Sequence, residues 1–470
     1  MLFNSYEFIF AFLPISFFVY FYLNSKRLTT AAKAWLVFTS LFFYSWWNIM
    51  YLPLILISIL FNYTITNTMI EYDKSRRKYF SKKSLLHAGL LFNIGLLVYF
   101  KYMDFFISNT NTISGSDIEL LHLALPLAIS FFTLQQIAFL IDSYEGLVKE
   151  KNFLDYTIFV TFFPQLIAGP IVHHKEMMPQ FANVRNKVKN YKNIAIGLFI
   201  FSIGLFKKVV IADTFAVWAT QGFDVATTLN LFEAWVTSLS YTFQLYFDFS
   251  GYTDMAIGAA LLFNIKLPIN FNSPYKATGM IDFWQRWHIT LSNFITTYIY
   301  TPIIRSFDKL TFNKAMFATV VTFLIAGLWH GASWMFVIFG GLHGLGLITN
   351  HYWKKRKIKL NTVLAWFITF NFVNITFVFF RAKEWDDALK VLSSMFSLNL
   401  PVNFEIRELI YICIFLMVIF LKNSNEIIKI KTSKNIILFV TFFLTVLSIL
   451  QLTNILIQTD KVSEFLYFNF

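Results

Sequence analysis

Long apolar runs alternate with short polar connections along this chain, from residue 7 to residue 457. The runs are about 20 residues long, which is what a helix needs to cross the hydrocarbon core of a bilayer. This pattern predicts an all-α polytopic membrane protein with about eleven transmembrane helices, plus shorter re-entrant and amphipathic helices. The first run, Phe8–Leu23, follows no basic stretch, so we expect a retained helix rather than a signal peptide.

The composition agrees with a membrane protein. Hydrophobic residues make up 57% of the 470 residues and charged residues only 14%, which excludes a soluble globular surface. The longest polar connection, residues 381–406, is too short to bury a core of its own, so residues 1–470 are predicted to form a single membrane domain. No P-loop or internal repeat marks the chain as an ATP-driven pump or a secondary transporter.

Basic residues are concentrated in short connections between the apolar runs. They fall in Lys26–Lys33, Lys74–Lys83, Lys175–Lys192, Lys354–Lys359 and Lys422–Lys434, whereas residues 108–119 and 216–230 contain neither Lys nor Arg. The positive-inside rule places the basic connections in the cytoplasm and explains the net charge of +13, so no nucleic-acid partner is expected. The same alternation carries the C-terminus to the outer side, where an aromatic tail is ordinarily an interfacial belt.

Polar and turn-forming residues interrupt the apolar pattern between Phe243 and Arg305. Asp248 and Asp254 border apolar helices and need partners there, while Pro268 and Pro274 end helices. Irregular backbone at membrane depth is stable only where it is buried in protein or lines a wetted cavity. We therefore expect this region to line a cavity, with the two aspartates fixing its walls through hydrogen bonds.

His330 lies in a long, uncharged and glycine-rich stretch. The GxxxG spacings Gly327–Gly331 and Gly340–Gly344 allow helices to approach closely and would hold His330 against protein rather than lipid. Trp329 and Trp334 flank this histidine. Because imidazole titrates near working pH, His330 is a candidate general base toward a hydroxyl. A hydrogen-bonded packing histidine is the alternative.

His288 and Arg286 lie on a segment that has apolar residues at helical spacing. Those residues are Phe283, Trp287, Leu291 and Phe294. The spacing predicts an amphipathic helix at the cytoplasmic interface. Judged by residue type alone, an interfacial anchor with Arg286 near headgroup phosphates is favoured over a catalytic role for His288.

The remaining histidines and the single cysteine give weaker signals. His173, His174 and Glu176 are too close in sequence to face one side of a helix, so no metal site is predicted. His343 is expected to pack between helices. The only cysteine, Cys413, excludes an intramolecular disulfide and a cysteine-based metal cluster.

Several collinear motifs resemble the membrane-bound O-acyltransferase family, in particular the bacterial branch that O-acetylates exported polysaccharides such as alginate and peptidoglycan. They are the opening Met1–Ser5, Leu125–Thr133 with Ile141-Asp142, Phe162–Pro170, Phe247–Gly258, Phe283–Ser292, Gly327–Gly331, Phe379–Ala382 and the aromatic tail Phe465–Phe470. The resemblance implies a ring-like helical fold with a central tunnel, where an acyl donor on one face meets an acceptor on the other. Tyr300–Arg305 departs from the family's usual sequence, which puts the geometry of that loop in doubt.

The resemblance also implies roles for particular residues. His330 is then the catalytic histidine, and His288 lies on the cytoplasmic side of the same tunnel, in donor binding or a proton relay. Tyr467 in the tail would carry the acyl group. Trp287, Trp329, Trp334, Arg286, Asp248 and Asp254 are the expected substrate-path residues, with Arg286 placed to pair with donor phosphates or lipid headgroups.

The expected function is therefore that of an acyltransferase in the bacterial cytoplasmic membrane, with a periplasmic C-terminus. Acetyl-CoA is the expected donor, no bound cofactor is expected, and a periplasmic SGNH-type esterase-like partner would move acetyl from Tyr467 to a polysaccharide, with peptidoglycan first. Alginate or another exopolysaccharide, D-alanyl transfer to teichoic acid, and a non-catalytic acetyl transporter remain as alternatives.

Overall fold

Helices are the only regular secondary structure in the parts of the chain that the computed structural model describes. These are residues 1–72, 80–148, 152–398, 406–429, 434–459 and 462–466. Seven helical runs in them are long and apolar enough to cross a membrane. The prediction of an all-α polytopic membrane protein is confirmed. The sequence predicted about eleven spans, which is more than these seven runs. Other helices, such as Thr29–Ser45 and Trp334–Lys355, are shorter or more polar than the seven and are not counted among them.

The α-helices are numbered in chain order. The first eleven are α1 Leu13–Ser25, α2 Thr29–Ser45, α3 Leu52–Glu71, α4 Lys82–Leu97, α5 Met103–Ser114, α6 Ile129–Tyr144, α7 Phe153–Thr161, α8 Phe163–Leu166, α9 His174–Ala182, α10 Tyr191–Phe206 and α11 Asp213–Thr220. The others are α12 Leu231–Leu262, α13 Met280–Trp284, α14 Ile289–Ile295, α15 Thr301–Arg305, α16 Phe312–His330, α17 Trp334–Lys355, α18 Thr362–Arg381, α19 Trp385–Met395, α20 Ile406–Phe420, α21 Ser424–Lys429 and α22 Lys434–Thr459.

Short π-helical segments join or extend several of these helices. They are Glu7–Phe12, Val98–Tyr102, Lys207–Ala212, Gln221–Val225 and Thr296–Tyr300. Through them α10 and α11 become one run, Tyr191–Val225, and α4 and α5 another, Lys82–Ser114. A π turn widens the helix by one residue, so it redirects the side chains that it contains.

Helix α12 is the centre of the molecule. It begins with a capping box in which the Asn230 side chain accepts from the Glu233 N–H and the Glu233 carboxylate accepts from the Asn230 N–H. Side chains on all of its faces are buried, which is typical of a helix surrounded by protein. Gly204 of α10 packs so closely against α12 that an added Cβ would lie 2.5 Å from the Gly251 carbonyl oxygen.

Helices α16 and α17 form an antiparallel pair with a similarly close crossing. A Cβ atom added to Gly327 would lie 2.8 Å from the Gly340 Cα, so the close approach expected from the GxxxG spacing is present. The pair is separated by an extended Gly331, with φ −169° and ψ 155°. His330 is the last residue of α16, directly before this break.

The helix ends define two faces of the bundle. The basic face contains the start of α4 at Lys82, the start of α10 at Tyr191 and the end of α17 at Lys355. The opposite face contains the end of α5 and the break between α16 and α17, which are linked where the Trp334 indole N–H donates to Asn109 Oδ1 at 2.9 Å.

Candidate active site

His330 is buried and enclosed by aromatic rings. Its ring centroid lies 5.0 Å from that of Trp329, 5.1 Å from that of Phe380 and 6.0 Å from that of Phe339. Only 3% of the residue is exposed. Because α16 ends here, the carbonyl groups of its last turn have no partners within the helix.

Lys101 supplies the missing donors to that helix end. Its Nζ donates to the Trp329 carbonyl at 2.6 Å, to the His330 carbonyl at 3.2 Å and to Ser130 Oγ at 3.0 Å. A cation at a helix C-terminus is also favoured by the helix dipole. The sequence interpretation missed Lys101. Its signal was a single lysine inside an otherwise apolar run, which marks a functional residue in a membrane segment.

His288 lies in a turn and not on a helix, so the prediction of a continuous amphipathic helix over residues 283–294 is wrong. The residue has φ 43° and ψ 54°, and it separates α13 from α14. The predicted apolar face is buried in protein and does not face lipid, since Phe283, Trp287, Leu291 and Phe294 are each 2% exposed or less. A left-handed backbone at this position interrupts the helical spacing that the residue types suggested.

A buried amide orients His288. Asn270 Oδ1 accepts from His288 Nδ1 at 3.1 Å, from the Thr290 hydroxyl at 2.9 Å and from the Thr290 N–H at 3.2 Å. Since this oxygen can only accept, Nδ1 carries the proton. His288 is 0% exposed, and its ring lies 4.8 Å from that of Phe249 on α12.

Trp329 connects the two histidines. Its ring centroid lies 5.0 Å from that of His330 and 6.4 Å from that of His288. The indole N–H donates to the Ser130 carbonyl at 3.2 Å, which fixes the ring between them. The structure therefore brings His288, Trp329 and His330 into one buried group, although 42 residues of sequence separate the two histidines.

His343 packs near this group as a structural residue. Its Nδ1 accepts from the Trp284 indole N–H at 3.1 Å, and its Nε2 donates to the Thr376 hydroxyl at 2.8 Å. Both ring nitrogens are thus engaged within the protein. The expectation of a packing role for His343 agrees with this geometry.

Two cavities lie near the histidine group, one toward each face. The basic-face cavity has a volume of about 330 Å³, and its lining includes Asp142, His173, Lys175, Thr290, Tyr298 and Arg305. The opposite-face cavity has a volume of about 290 Å³, and its lining includes Lys101, Asp104, Gly331 and Phe336. Lys101, which lines the opposite-face cavity, donates to the His330 carbonyl. Thr290, which lines the basic-face cavity, donates to Asn270, the amide that orients His288, so this cavity is linked to His288 through one further residue.

Tyr298 forms the wall of the basic-face cavity. Its hydroxyl donates to Asp142 Oδ1 at 2.8 Å and lies 3.1 Å from His173 Nδ1. Burial and the hydrogen bond to Asp142 raise the pKa of the Tyr298 hydroxyl, so it keeps its proton and acts as a donor. His173 is therefore part of a hydrogen-bonded wall. Within the described residues no group of three or more His, Cys, Asp or Glu side chains is arranged to hold a metal ion.

Three expected substrate-path residues have other surroundings. Trp334 is 57% exposed, and its N–H bonds to Asn109, which argues against a place beside the substrate. Arg286 is paired with Asp282 at 2.7 Å, so its guanidinium is already engaged within the chain. Trp287 is buried against Phe271, with ring centroids 5.1 Å apart, as part of the aromatic packing under His288.

Asp248 and Asp254 each pair with a lysine from the π turn after α10. Asp254 Oδ2 lies 2.7 Å from Lys207 Nζ, and Asp254 Oδ1 accepts from the Ser424 hydroxyl at 3.0 Å. Asp248 Oδ1 lies 2.8 Å from Lys208 Nζ. The expectation that both aspartates need buried partners agrees with these contacts.

The C-terminal tail enters the protein interior. Phe465 is 1% exposed, and its ring centroid lies 4.6 Å from that of Tyr252 on α12. The expectation of an interfacial aromatic belt is therefore wrong for Phe465, because its ring is covered by protein. Tyr467 lies outside the described residues, and the last described residue before it is Leu466.

The apolar helices and the family match together identify a multi-pass membrane acyltransferase. The chain belongs to the membrane-bound O-acyltransferase family, whose model matches residues 17–382, so the family expected from the motifs is confirmed. It is 52% identical over 431 residues to the peptidoglycan O-acetyltransferase of Helicobacter pylori, covering 85% of this chain and 80% of that relative.

Two further relatives have other acceptors in their names. The chain is 34% identical over 408 residues to the "Probable alginate O-acetylase AlgI" of Azotobacter vinelandii, covering 84% of this chain and 78% of the relative. It is 27% identical over 281 residues to the teichoic acid D-alanyltransferase of Streptococcus thermophilus, covering 54% of this chain and 68% of the relative.

Proposed function

We propose that this protein transfers acetyl groups from a cytoplasmic thioester donor, acetyl-CoA, to the hydroxyl of Tyr467. A periplasmic SGNH-type partner then moves the acetyl group to a cell-envelope polysaccharide. The observation that carries this proposal is the buried group of His288, Trp329 and His330, with one cavity toward each face. Such an arrangement suits a reaction whose donor and acceptor arrive from opposite sides.

The basic-face cavity is the proposed donor entrance. Lys175 and Arg305 line it together with three acidic residues, Asp142, Glu145 and Glu176. The two cations are the groups that would pair with the phosphates of a coenzyme A donor. Thr290 lines this cavity and donates to Asn270 Oδ1, which in turn accepts from His288 Nδ1. We assign His288 to the donor side, where its imidazole binds the donor or relays a proton.

His330 is the proposed general base. It takes the proton from the Tyr467 hydroxyl as the phenol oxygen attacks the acetyl carbonyl carbon. A C–O bond forms, the C–S bond of the thioester breaks, and the proton on His330 passes to the departing thiolate. The aryl ester is activated enough to acylate the partner's nucleophile, which restores the Tyr467 hydroxyl and allows the next cycle.

Peptidoglycan is the proposed final acceptor. The identity to the Helicobacter pylori enzyme is 52%, compared with 34% to the alginate relative, and both alignments cover most of each chain. The lower identity and shorter coverage of the D-alanyltransferase give teichoic acid less support than either polysaccharide.

The experiment that tests this proposal follows radiolabelled acetyl-CoA into the purified, detergent-solubilised protein. We expect label on Tyr467 in the C-terminal peptide, and no label in Tyr467→Phe or His330→Ala. His87→Ala, at an exposed histidine on α4, is the matched control and should label normally. If the wild-type protein is never labelled while acetate still reaches the polysaccharide, the tyrosyl relay is wrong and a transporter or a direct transfer replaces it.

A further inference from the structure

A buried ion cluster lies where α10 and α12 meet the C-terminal tail. Lys208 Nζ lies 2.8 Å from Asp213 Oδ1 and 2.8 Å from Asp248 Oδ1, and it donates to the Glu464 carbonyl at 2.8 Å. The three side chains are 3%, 11% and 2% exposed, respectively. An ammonium group has three donors, and these three contacts use all of them.

The tail uses the remaining oxygens of the cluster. The Ser463 hydroxyl donates to Asp213 Oδ2 at 2.5 Å, and the Leu466 N–H donates to Asp248 Oδ2 at 3.0 Å. With one ammonium and two carboxylates, the cluster carries one excess negative charge. A buried excess charge is costly unless donors surround it, and the tail supplies two of them.

Aromatic and N-terminal contacts complete the binding of the tail. The Phe465 ring lies 5.0 Å below Lys208 Nζ and 4.6 Å from the Tyr252 ring. The Tyr252 ring also stacks on Phe3, with ring centroids 4.8 Å apart, and Asn4 Nδ2 donates to the Ser463 carbonyl at 3.2 Å. The tail is thus recognised mainly through its backbone, with one aromatic ring as an anchor.

The cluster lies deep in the helical bundle, so it does more than anchor the end of the chain at a membrane surface. Lys208 lies near the middle of the 35-residue run Tyr191–Val225, far from either face. Irregular backbone at that depth must find all its hydrogen bonds within the protein. On α12, Asp248 binds the tail, and the ring centroid of the next residue, Phe249, lies 4.8 Å from that of His288, so one helix contacts both the tail and the histidine group.

We propose that Lys208, Asp213 and Asp248 form a peptide-binding site for residues 463–466 and position Tyr467 for acetyl transfer. They act as positioning residues and take no part in bond making. The positioning part rests on the relay through Tyr467 proposed above, whereas the peptide-binding part does not.

Hydrogen–deuterium exchange of the full-length protein tests the peptide-binding part. In Lys208→Met, exchange in the C-terminal peptide should become faster by at least about tenfold, while exchange in α16 stays unchanged. Lys207→Met is the matched control, because this neighbouring lysine pairs with Asp254 and has no described contact with the tail. Unchanged exchange in Lys208→Met, or an equal increase in Lys207→Met, would overturn the site.

A second set of variants leaves Lys208, Asp213 and Asp248 in place. Ser463→Ala and Phe465→Ala remove the tail's side chains from the contacts with Asp213 and Lys208, and the double variant should also exchange faster in its C-terminal peptide. Acetyl labelling of Tyr467 should slow by about tenfold with an unchanged KM for acetyl-CoA, since only the acceptor is misplaced. Normal labelling with a released tail would refute the positioning role. If wild-type Tyr467 never labels, the relay fails, and the exchange data alone decide whether the peptide site exists.

Discussion

Lys101 shows how one side chain can hold the proposed catalytic histidine in place through its backbone. Lys101 Nζ donates to the carbonyl groups of Trp329 and His330 at the C-terminal end of α16. Its third hydrogen bond goes to the hydroxyl of Ser130, the residue whose carbonyl accepts from the Trp329 indole N–H. A buried carbonyl that loses its donor costs about 1–3 kcal/mol. The geometry of His330 therefore depends on a lysine that is distant in sequence.

Replacement of Lys101 by methionine should lower kcat for acetyl transfer. The apolar side chain keeps the length of lysine but leaves the last turn of α16 without donors, so His330 loses its fixed position. We expect kcat to fall at least about tenfold with little change in KM for the donor, which steady-state kinetics would show. Lys83→Met, at an exposed lysine on α4, is the control. A normal kcat in Lys101→Met would rule out this support role.

Arg305 offers a prediction for the donor side. Its side chain lines the basic-face cavity, so Arg305→Gln should raise KM for acetyl-CoA several-fold and leave kcat nearly unchanged, through weaker attraction of phosphate. The difference from wild type should shrink as salt is added, because salt screens exposed charges. Lys309→Gln, outside the lining, should behave as wild type. A loss confined to kcat would place the donor elsewhere.

At the scale of elements, π turns carry several of the polar side chains around the site and the tail. Lys101 lies in Val98–Tyr102, Lys207 and Lys208 in Lys207–Ala212, and Tyr298 in Thr296–Tyr300. A regular helix would place neighbouring residues such as Lys207 and Lys208 about 100° apart around its axis, and a widened turn alters that angle. Here the two lysines reach different aspartates on α12. These π turns depend on contacts with other helices, so the spacing of apolar residues along one helix could not predict them.

The sequence predicted elements better than it predicted local backbone. Apolar run length was sufficient for the helical class, and GxxxG spacing for the approach of Gly327 and Gly340. His288 could be predicted as a site residue because an ionisable ring in an apolar segment is costly without a partner. Its left-handed turn could not be predicted, because the turn is held by a contact with Asn270, and residue spacing gives no sign of that contact. The buried position of Phe465 depends on Lys208 and Tyr252, which are more than 200 residues away in sequence.

The α10–α12 crossing gives a stability prediction. Gly204→Ala places a methyl group 2.5 Å from the Gly251 carbonyl oxygen, so the helices must separate at a cost of about 1–3 kcal/mol. We expect a lower Tm in detergent, measured by thermal unfolding. Gly95→Ala is the matched control, because nothing lies within 4 Å of its added Cβ and alanine favours a helix. Equal Tm values for the two variants would show that the crossing is loosely packed.

At the scale of the whole molecule, the two faces are chemically unequal. The helix ends at Lys82, Tyr191 and Lys355 adjoin basic connections, whereas the connection that follows α5 contains neither Lys nor Arg. Each face also has its own cavity beside the histidine group. Because charge bias determines the orientation of a membrane protein, this asymmetry predicts that the basic-face cavity meets the proposed cytoplasmic donor.

This asymmetry predicts one orientation in the cell. In a Cys413→Ser background, Asp117→Cys lies after α5 on the opposite face, and Lys309→Cys lies before α16 on the basic face. A membrane-impermeant maleimide added to intact spheroplasts should label the cysteine at position 117 and reach the one at position 309 only after lysis.

Inside-out membrane vesicles given external acetyl-CoA should then acetylate Tyr467, whereas sealed right-side-out vesicles should not. Detergent permeabilisation is the control, because it should make both preparations equally active. Acetylation in sealed right-side-out vesicles would mean that the donor enters from the opposite face, and the assignment of the Arg305 cavity to the donor would then fail.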